Sequence, residues 1–193
     1  MKHQIVNIRG CNGSGKTTIV RRFLDRLPSQ PLGGKPGRPA GYTVDASAWG
    51  ISVPVFVVGS YENTCGGTDG INTQEEIAER VVKAHALGHV LVEGLLMSKS
   101  SAGGHVAPIL KDHGAIFAFL DTPWETCLER VLQRRAAAGN DKMFDPGKTM
   151  RSAYEQCHRS AELLTLAGGY DVRWLDHTDA VGGVVGYLQG AEQ

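Results

Sequence analysis

The stretch GCNGSGKTT, residues 10–18, lies between the apolar run QIVNI at 4–8 and the amphipathic run IVRRFL at 19–24. The spacing G-x-x-x-x-G-K-[ST] is met by Gly10, Gly15, Lys16 and Thr17. The flanking patterns predict a strand before this stretch and a helix after it, the context in which such a loop binds phosphate. The stretch therefore predicts a polyphosphate site at a helix N-terminus; a glycine-rich turn that matches by chance is the alternative.

Each residue type in this loop has a chemical role in phosphate binding. Glycines let successive backbone N–H groups point into one concavity, Lys16 is expected to reach the β and γ phosphates, and the Thr17 hydroxyl is expected to ligate Mg²⁺. The predicted cofactors are therefore ATP and Mg²⁺. The predicted nucleotide-binding residues in this loop are Gly10, Asn12, Gly13, Ser14, Gly15, Lys16, Thr17 and Thr18.

Length and charge limit the function classes. A chain of 193 residues with 41% hydrophobic content suits one domain, expected to span residues 1–193. The formal net charge is zero, yet residues 1–44 hold eight Lys or Arg against the single acid Asp25. This basic segment suits a polyanion, either the nucleotide alone or a nucleic acid.

The cysteines and the apolar runs bear on the cellular setting. The four cysteines are far apart, with no C-x-x-C pair, so neither a zinc site nor a disulfide framework is predicted. No apolar run approaches the roughly 20 residues that span a bilayer, and no N-terminal signal pattern is present. We expect a reduced, cytoplasmic setting, and no membrane partner.

Strands alternate with helices along the rest of the chain, which predicts an α/β fold with a parallel sheet between two helical layers. After the first helix, the proline- and glycine-rich residues 28–41 are predicted to form an exposed basic loop without regular structure. Thr73 and Glu76 form a capping box that predicts the start of a helix. Further strands are predicted at 42–46, 51–59, 89–94, 115–121 and 170–176, and further helices at 106–113, 123–138, 149–167 and 182–189.

Two acids are candidates for the chemistry. Glu93 ends the strand VLVE, and ligands of α/β sheets bind at the carboxyl ends of strands, so it is expected to act on Mg²⁺ or on the acceptor. Asp69 lies in a loop at about 59–73 whose glycines permit close approach of a ligand, so it is a candidate base for an attacking hydroxyl. An ordinary turn residue is the alternative for Asp69.

Three arginines follow on one predicted helix. Arg130 and Arg134 are four residues apart and share a helix face, with Arg135 beside them. Their guanidinium groups suit phosphate oxygens and the charge that develops during transfer, and the loop after them is expected to close as a lid at about 134–148. A solvated basic helix face is the alternative.

In the order GCNGSGKTT, VLVEG and LDTPWETCLERVLQRR, the chain resembles the P-loop kinases of the nucleoside and nucleoside-monophosphate kinase group. This resemblance implies a three-layer P-loop fold with a five-stranded parallel sheet in the order 2-3-1-4-5. It also implies that Arg130 lies against adenine while Arg134 and Arg135 point toward phosphates. The D-R-[SY] acceptor motif of the deoxynucleoside kinases is absent after the acidic strand, which makes a free deoxynucleoside a poorer fit.

The middle of the chain is more distinctive. The segments GRPAGYTV at 37–44, VFVVGSYENTCGGTDGINTQEEI at 55–77 and VLVEGLLMS at 90–98 are similar to bacteriophage kinases of DNA hypermodification. That resemblance implies phosphorylation of the hydroxymethyl group of 5-hydroxymethyluracil in DNA, with Asp69 and its loop at the flipped base. It also implies that the basic loop around Lys35 and Arg38 follows the DNA backbone.

Three hypotheses follow for the function. The first is ATP-dependent transfer of a phosphoryl group to 5-hydroxymethyluracil in DNA, with Lys16, Asp69, Glu93, Arg134 and Arg135 as catalytic residues and Thr17 with Glu93 at the metal. The second is a kinase of a free nucleoside, nucleotide or other small molecule. The third is a nucleotide-switched, DNA-binding ATPase that phosphorylates no acceptor.

Overall fold

The computed structural model describes residues 2–62, 66–94, 106–139 and 146–191, with the backbone alone at 69 and at 146–148. The strands are β1 Ile5–Arg9, β2 Ser29–Leu32, β3 Gly41–Val44, β4 Val55–Val58, β5 His89–Glu93, β6 Ile116–Leu120 and β7 Asp171–Leu175. The helices are α1 Lys16–Arg26, α2 Gln74–His85, α3 Val106–Asp112, α4 Trp124–Ala137, α5 Pro146–Ala167 and α6 Ala180–Gly190. Short 3₁₀ turns occupy Ser47–Trp49 and Thr68–Gly70.

One sheet contains all seven described strands, in the order β2-β3-β4-β5-β1-β6-β7. The prediction of a mostly parallel α/β sheet is confirmed, because β4, β5, β1, β6 and β7 run parallel to one another. The prediction of five strands in the order 2-3-1-4-5 is wrong for this sheet. The difference lies in β2 and β3, which pair antiparallel with each other and extend the parallel strands beyond β4.

Residues 28–41 account for this error. Their composition predicts a loop, yet Ser29–Leu32 pairs with Gly41–Val44 and the segment forms a hairpin closed by a Lys35–Arg38 bridge. Pro31 is tolerated because β2 is an edge strand, where one side of the backbone needs no ladder hydrogen bonds. The predicted exposure of this segment is confirmed for residues 28–38, which include all of β2, but Pro39 and Gly41 are buried.

Two buried clusters hold the sheet between its helices. Alternate β1 side chains enter opposite clusters, with Ile5 in one and Val6 and Ile8 in the other, because successive strand residues face opposite sides. The first cluster takes side chains from α2 to α5, and the second takes them from α1 and α6. Strands that are buried on both faces need apolar side chains on both, which explains the continuous apolar runs in the sequence.

Local signals place the helices that border the site. Gly15, in the left-handed region at φ 103°, precedes α1, and Thr73 Oγ1 accepts a 3.1 Å hydrogen bond from the Glu76 N–H at the start of α2, as the capping box predicts. Among the helices that the structure describes, none is both long and apolar enough to cross a bilayer.

Candidate active site

The phosphate loop, residues 10–17, turns from the carboxyl end of β1 into the first turn of α1. The Ser14 N–H donates to the Cys11 carbonyl at 3.2 Å, and Gly13 adopts φ 83°, a conformation that glycine allows without a side-chain clash. Gly13 also lies against the first turns of α4, since a β-carbon there would be 3.1 Å from the Cα of Cys127. The loop conformation predicted from the glycine spacing therefore depends on a second helix that packs behind it.

A cavity of about 860 Å³ opens over this loop at the carboxyl edge of the parallel strands. Its size and location are those of a small-molecule ligand site in an α/β sheet. It is lined by residues 12–19, 21, 22, 66, 93, 94, 130, 133, 134, 137, 177, 180 and 181. The cavity thus includes Asn12 and Thr18 of the predicted nucleotide-binding set, while Gly10 lies beneath it as a hydrogen-bond acceptor.

Lys16 folds back over the loop that it follows. Its Nζ donates to the carbonyls of Gly10 at 2.9 Å and Cys11 at 3.0 Å. Burial lowers the pKa of Lys16, and the nearby Glu93 carboxylate opposes that shift. A cation held in a poorly solvated place beside a cavity is a strong anchor for phosphate oxygens.

Thr17 and Glu93, predicted as metal ligands from separate motifs, meet in the structure. The Thr17 hydroxyl donates a 2.8 Å hydrogen bond to Glu93 Oε1, and Glu93 is only 3% exposed. A hydroxyl and a carboxylate supply the hard oxygen ligands that Mg²⁺ prefers, and Mg²⁺ takes few protein ligands beside phosphate and water. The pair fits the role of holding Mg²⁺ against a bound nucleotide.

Glu93 also contacts the predicted acceptor-site loop. The carbonyl of Glu93 accepts a 3.1 Å hydrogen bond from Thr68 Oγ1, and a β-carbon added to Gly67 would lie 2.8 Å from Oε1 of the same residue. Gly67 adopts φ 92° and ψ −147°, a region that is essentially restricted to glycine. One carboxylate therefore joins the phosphate loop to the loop at 59–73.

The loop at 59–73 is closed at its base by two backbone hydrogen bonds between Ser60 and Gly67, of 3.2 Å and 2.9 Å. Residues 63–65 lie outside the described residues. Asp69 lies in the 3₁₀ turn Thr68–Gly70, directly after the residues that contact Glu93, but its side chain is outside what the structure describes. Its role as a base stays a prediction.

The three arginines of α4 take different positions relative to the phosphate loop and the cavity. Arg130 Nη1 donates to the carbonyls of Gly13 at 3.2 Å and Ser14 at 3.4 Å, and Arg134 lines the cavity one turn later. Arg135, half-buried on an adjacent side of α4, is not among the described residues that line this cavity. In the predicted lid at 134–148, the first residues belong to α4, and residues 140–145 lie outside the described parts of the chain.

No sequence motif indicates a role for Arg9, although it directly precedes the phosphate loop. Its side chain is 1% exposed, its Nη1 donates to the Gly94 carbonyl, and its guanidinium carbon lies 5.6 Å from the centre of the Phe119 ring. Burial lowers the pKa of Arg9 to about 10. An arginine that ends an otherwise apolar strand was the available signal, because arginine is almost never buried without a specific reason.

His177 is a second residue that the motifs did not indicate. It lines the cavity just before α6, and its backbone N–H donates to Asp121 Oδ1 at 2.8 Å. Ligand atoms of Asp121, Asp176 and His177 lie within 4.8 Å of one another, but both acids are exposed, and such groups commonly gather without an ion. Because His177 lines the cavity, the β7–α6 connection lies at the rim of this cavity.

Comparison with known proteins finds kinases that are similar to this chain. No family model matches the chain. The chain is similar to the "5-hmdU DNA kinase" of Pseudomonas phage PaMx11, with 33% identity over 168 residues that cover 86% of this chain and 88% of that protein. It is also similar to the "5-hmdU DNA kinase" of Pseudomonas phage M6, with 29% identity over 191 residues that cover 88% and 90% of the two chains. A third such kinase, from Delftia phage PhiW-14, is 28% identical over 151 residues and extends well beyond the match, which covers 54% of it.

Proposed function

Since this chain belongs to the family of phage 5-hmdU DNA kinases, we propose that it transfers the γ-phosphoryl group of ATP to the hydroxymethyl oxygen of 5-hydroxymethyluracil in DNA. The family resemblance read from residues 37–44, 55–77 and 90–98 is confirmed by these relatives. The observation that carries the proposal is the position of Glu93, which contacts Thr17 of the phosphate loop and Gly67 of the predicted acceptor-site loop. The donor nucleotide and the acceptor base would then both lie next to the Glu93 carboxylate.

The donor side of the site uses fixed charges and backbone N–H groups. The phosphate loop and Lys16 would hold the polyphosphate, and Arg130 and Arg134 would face it from α4. Thr17 and Glu93 would hold Mg²⁺, which neutralises phosphate charge when bound. Because the groups are positioned before the reaction, they stabilise the transition state without reorganising during it.

The transfer itself is an in-line displacement. The hydroxymethyl oxygen forms a bond to the γ-phosphorus as the bond from that phosphorus to the β–γ bridging oxygen breaks, and ADP leaves with that oxygen. The hydroxyl proton passes to a carboxylate, for which Asp69 and Glu93 are the candidates. Comparing Asp69→Asn with Glu93→Gln in single turnover, at several Mg²⁺ concentrations, separates loss of the proton acceptor from loss of the metal ligand.

The acceptor is tested with γ-labelled ATP and three substrates: duplex DNA containing 5-hydroxymethyluracil, the same duplex with thymine, and free 5-hydroxymethyldeoxyuridine. Label in the modified duplex alone is the expected result. Label in the free nucleoside alone would replace the proposal with a small-molecule kinase. If DNA stimulates the release of phosphate and no acceptor carries label, the proposal is replaced by a DNA-dependent ATPase. Lys16→Ala is the control and should abolish all three signals.

A further inference from the structure

The β2–β3 hairpin places its tip at the edge of the sheet that carries the site. β4 runs parallel to β5 and β1, so its carboxyl end lies beside the phosphate loop and Glu93. β3 runs antiparallel to β4, with Gly41 opposite Val58, and therefore begins at that same edge. The hairpin tip, residues 33–40, precedes β3 and projects from the carboxyl edge of the parallel strands.

Arg38 joins this tip to the loop at 59–73. A β-carbon added to Gly70 would lie 3.0 Å from both Nε and Cζ of Arg38, so the guanidinium rests against the 3₁₀ turn that contains Asp69. The side chain is nevertheless exposed, as is that of Lys35 at the turn of the hairpin. A cation thus lies on the outer surface of the acceptor-site loop.

Two other arginines surround the same loop. Arg21 of α1 donates from Nη2 to the carbonyl of Tyr61 at 3.2 Å, and it also lines the nucleotide cavity. Arg80 of α2 donates at 3.3 Å to the carbonyl of Ala40, the last residue of the hairpin tip, and the N–H of Gly59, where the loop begins, donates to the same carbonyl at 3.1 Å. Arginines from three separate elements therefore converge on the rim of one loop.

Acidic groups on this rim compensate only part of that charge. Glu76 is paired with Arg80 at 2.6 Å, and Glu62, which is exposed, accepts a 2.7 Å hydrogen bond from the Tyr42 hydroxyl. Among the side chains that the structure describes, which do not include that of Asp69, no carboxylate lies within ion-pair distance of Lys35 or Arg38. The tip of the hairpin is consequently a positive surface beside the loop.

We propose that Lys35 and Arg38, supported by Arg21, bind the DNA phosphates on either side of the target nucleotide, so that the hairpin holds the duplex while the base enters the loop at 59–73. This inference rests on the proposed function. A nucleotide in DNA is flanked by phosphates, and basic side chains on them position a substrate without reading its sequence. A free nucleoside lacks those phosphates, so the hairpin would distinguish DNA from a free nucleoside.

The test compares Lys35→Gln/Arg38→Gln with the matched double variant Lys83→Gln/Arg159→Gln, which removes two exposed charges from α2 and α5. Binding of a fluorescent duplex is measured by anisotropy over a range of salt concentrations. The hairpin variant should bind DNA about 10-fold or more weakly, and the slope of log K against log salt should fall by about 2. The KM for ATP should match that of the wild type, and the control should keep both the affinity and the slope.

Equal affinity and slope in the hairpin variant and its control would overturn the inference while leaving the proposed function standing. If DNA binding depends on the hairpin but the wild-type protein phosphorylates no DNA, the inference is supported and the proposed function is rejected. Arg38→Lys keeps the charge and should keep most of the affinity. If Arg38→Lys instead loses activity on DNA while it binds DNA with the wild-type affinity, Arg38 shapes the loop through Gly70 and the inference is overturned.

Discussion

The Thr17 hydroxyl lies 2.8 Å from Glu93 Oε1, which links the first turn of α1 to the carboxyl end of β5 across 76 positions of sequence. Replacing Glu93 with Gln keeps an oxygen that can accept this hydrogen bond and removes the charge. We expect kcat to fall by about 100-fold or more, because a glutamine neither takes a proton nor neutralises a metal ion as a carboxylate does. Nucleotide affinity without Mg²⁺ should be at least that of the wild type in calorimetric titration, because the substitution removes a negative charge from beside the phosphates.

Thr17→Ser is the matched control for this prediction, since it keeps the hydroxyl and should keep most of the activity. An unchanged kcat and an unchanged Mg²⁺ dependence in Glu93→Gln would contradict the role given to the pair.

Gly67→Ala should damage the site more than the fold. The new methyl group would lie against Glu93, 2.8 Å from Oε1, and the φ of 92° at this position is unfavourable for alanine. We expect a loss of about 1–3 kcal/mol in the free energy of unfolding together with a loss of kcat. Denaturant titration and steady-state kinetics measure the two effects.

Gly168→Ala separates these effects, because its φ is 72° but an added β-carbon would meet no atom within 4 Å. The control should lose stability and keep its kcat. If both variants keep their kcat, the contact between Gly67 and Glu93 does not matter for the reaction.

Arg9→Met should bind nucleotide less well without becoming less stable. In the described parts of the chain, no carboxylate pairs with Arg9 and its Nε has no hydrogen-bond partner, so the Gly94 carbonyl and the Phe119 ring offset only part of the cost of this buried charge. Methionine removes the cost of that charge and keeps much of the apolar stem. If the charge acts over an assumed separation of about 10 Å, at an effective dielectric constant of about 20, its loss weakens phosphate binding on the order of tenfold.

Thermal unfolding and titration with ADP measure the two quantities for Arg9→Met. Arg9→Lys restores the charge but not the planar fork, and should recover part of the affinity. A parallel fall in unfolding temperature and affinity in Arg9→Met would instead assign Arg9 a purely structural role.

Acid should destabilise the protein through His85. Burial is the main reason that the pKa of His85 lies below its usual value of 6.5; the hydrogen bond to the His3 carbonyl opposes this shift, and the charges of His113, His3 and Lys2 add to it. The folded state then binds protons less readily than the unfolded state. Neutral His85 therefore contributes its full stabilisation above about pH 6.5. This contribution is lost as the pH falls from there through the lower pKa of His85 in the folded state.

Melting temperatures measured from pH 8 down to pH 5 test this prediction. His85→Asn should lose less stability over that range than the wild type does. His158→Asn, which removes a histidine from outside this group, should follow the wild-type profile. If the melting temperature of His85→Asn changes with pH as that of the wild type does, another group governs the acid response.

The sequence by itself determined the parts of this protein that depend on local patterns. The phosphate loop follows from glycine spacing between a strand and a helix, the start of α2 follows from Thr73 and Glu76, and the buried strands follow from continuous apolar runs. The same reasoning identified Thr17 and Glu93 separately, because each stands at a recognisable end of an element.

The tertiary structure alone decided which of these elements meet. Residues 28–41 carry the composition of a loop, and only pairing with β3 makes Ser29–Leu32 an edge strand. Likewise, no local pattern brings Gly67 against Glu93 or Arg38 against Gly70, since these contacts depend on strand order and on the packing of separate segments. Propensity and periodicity act over a few neighbouring residues, whereas an edge strand and a shared carboxylate depend on partners far away in the chain.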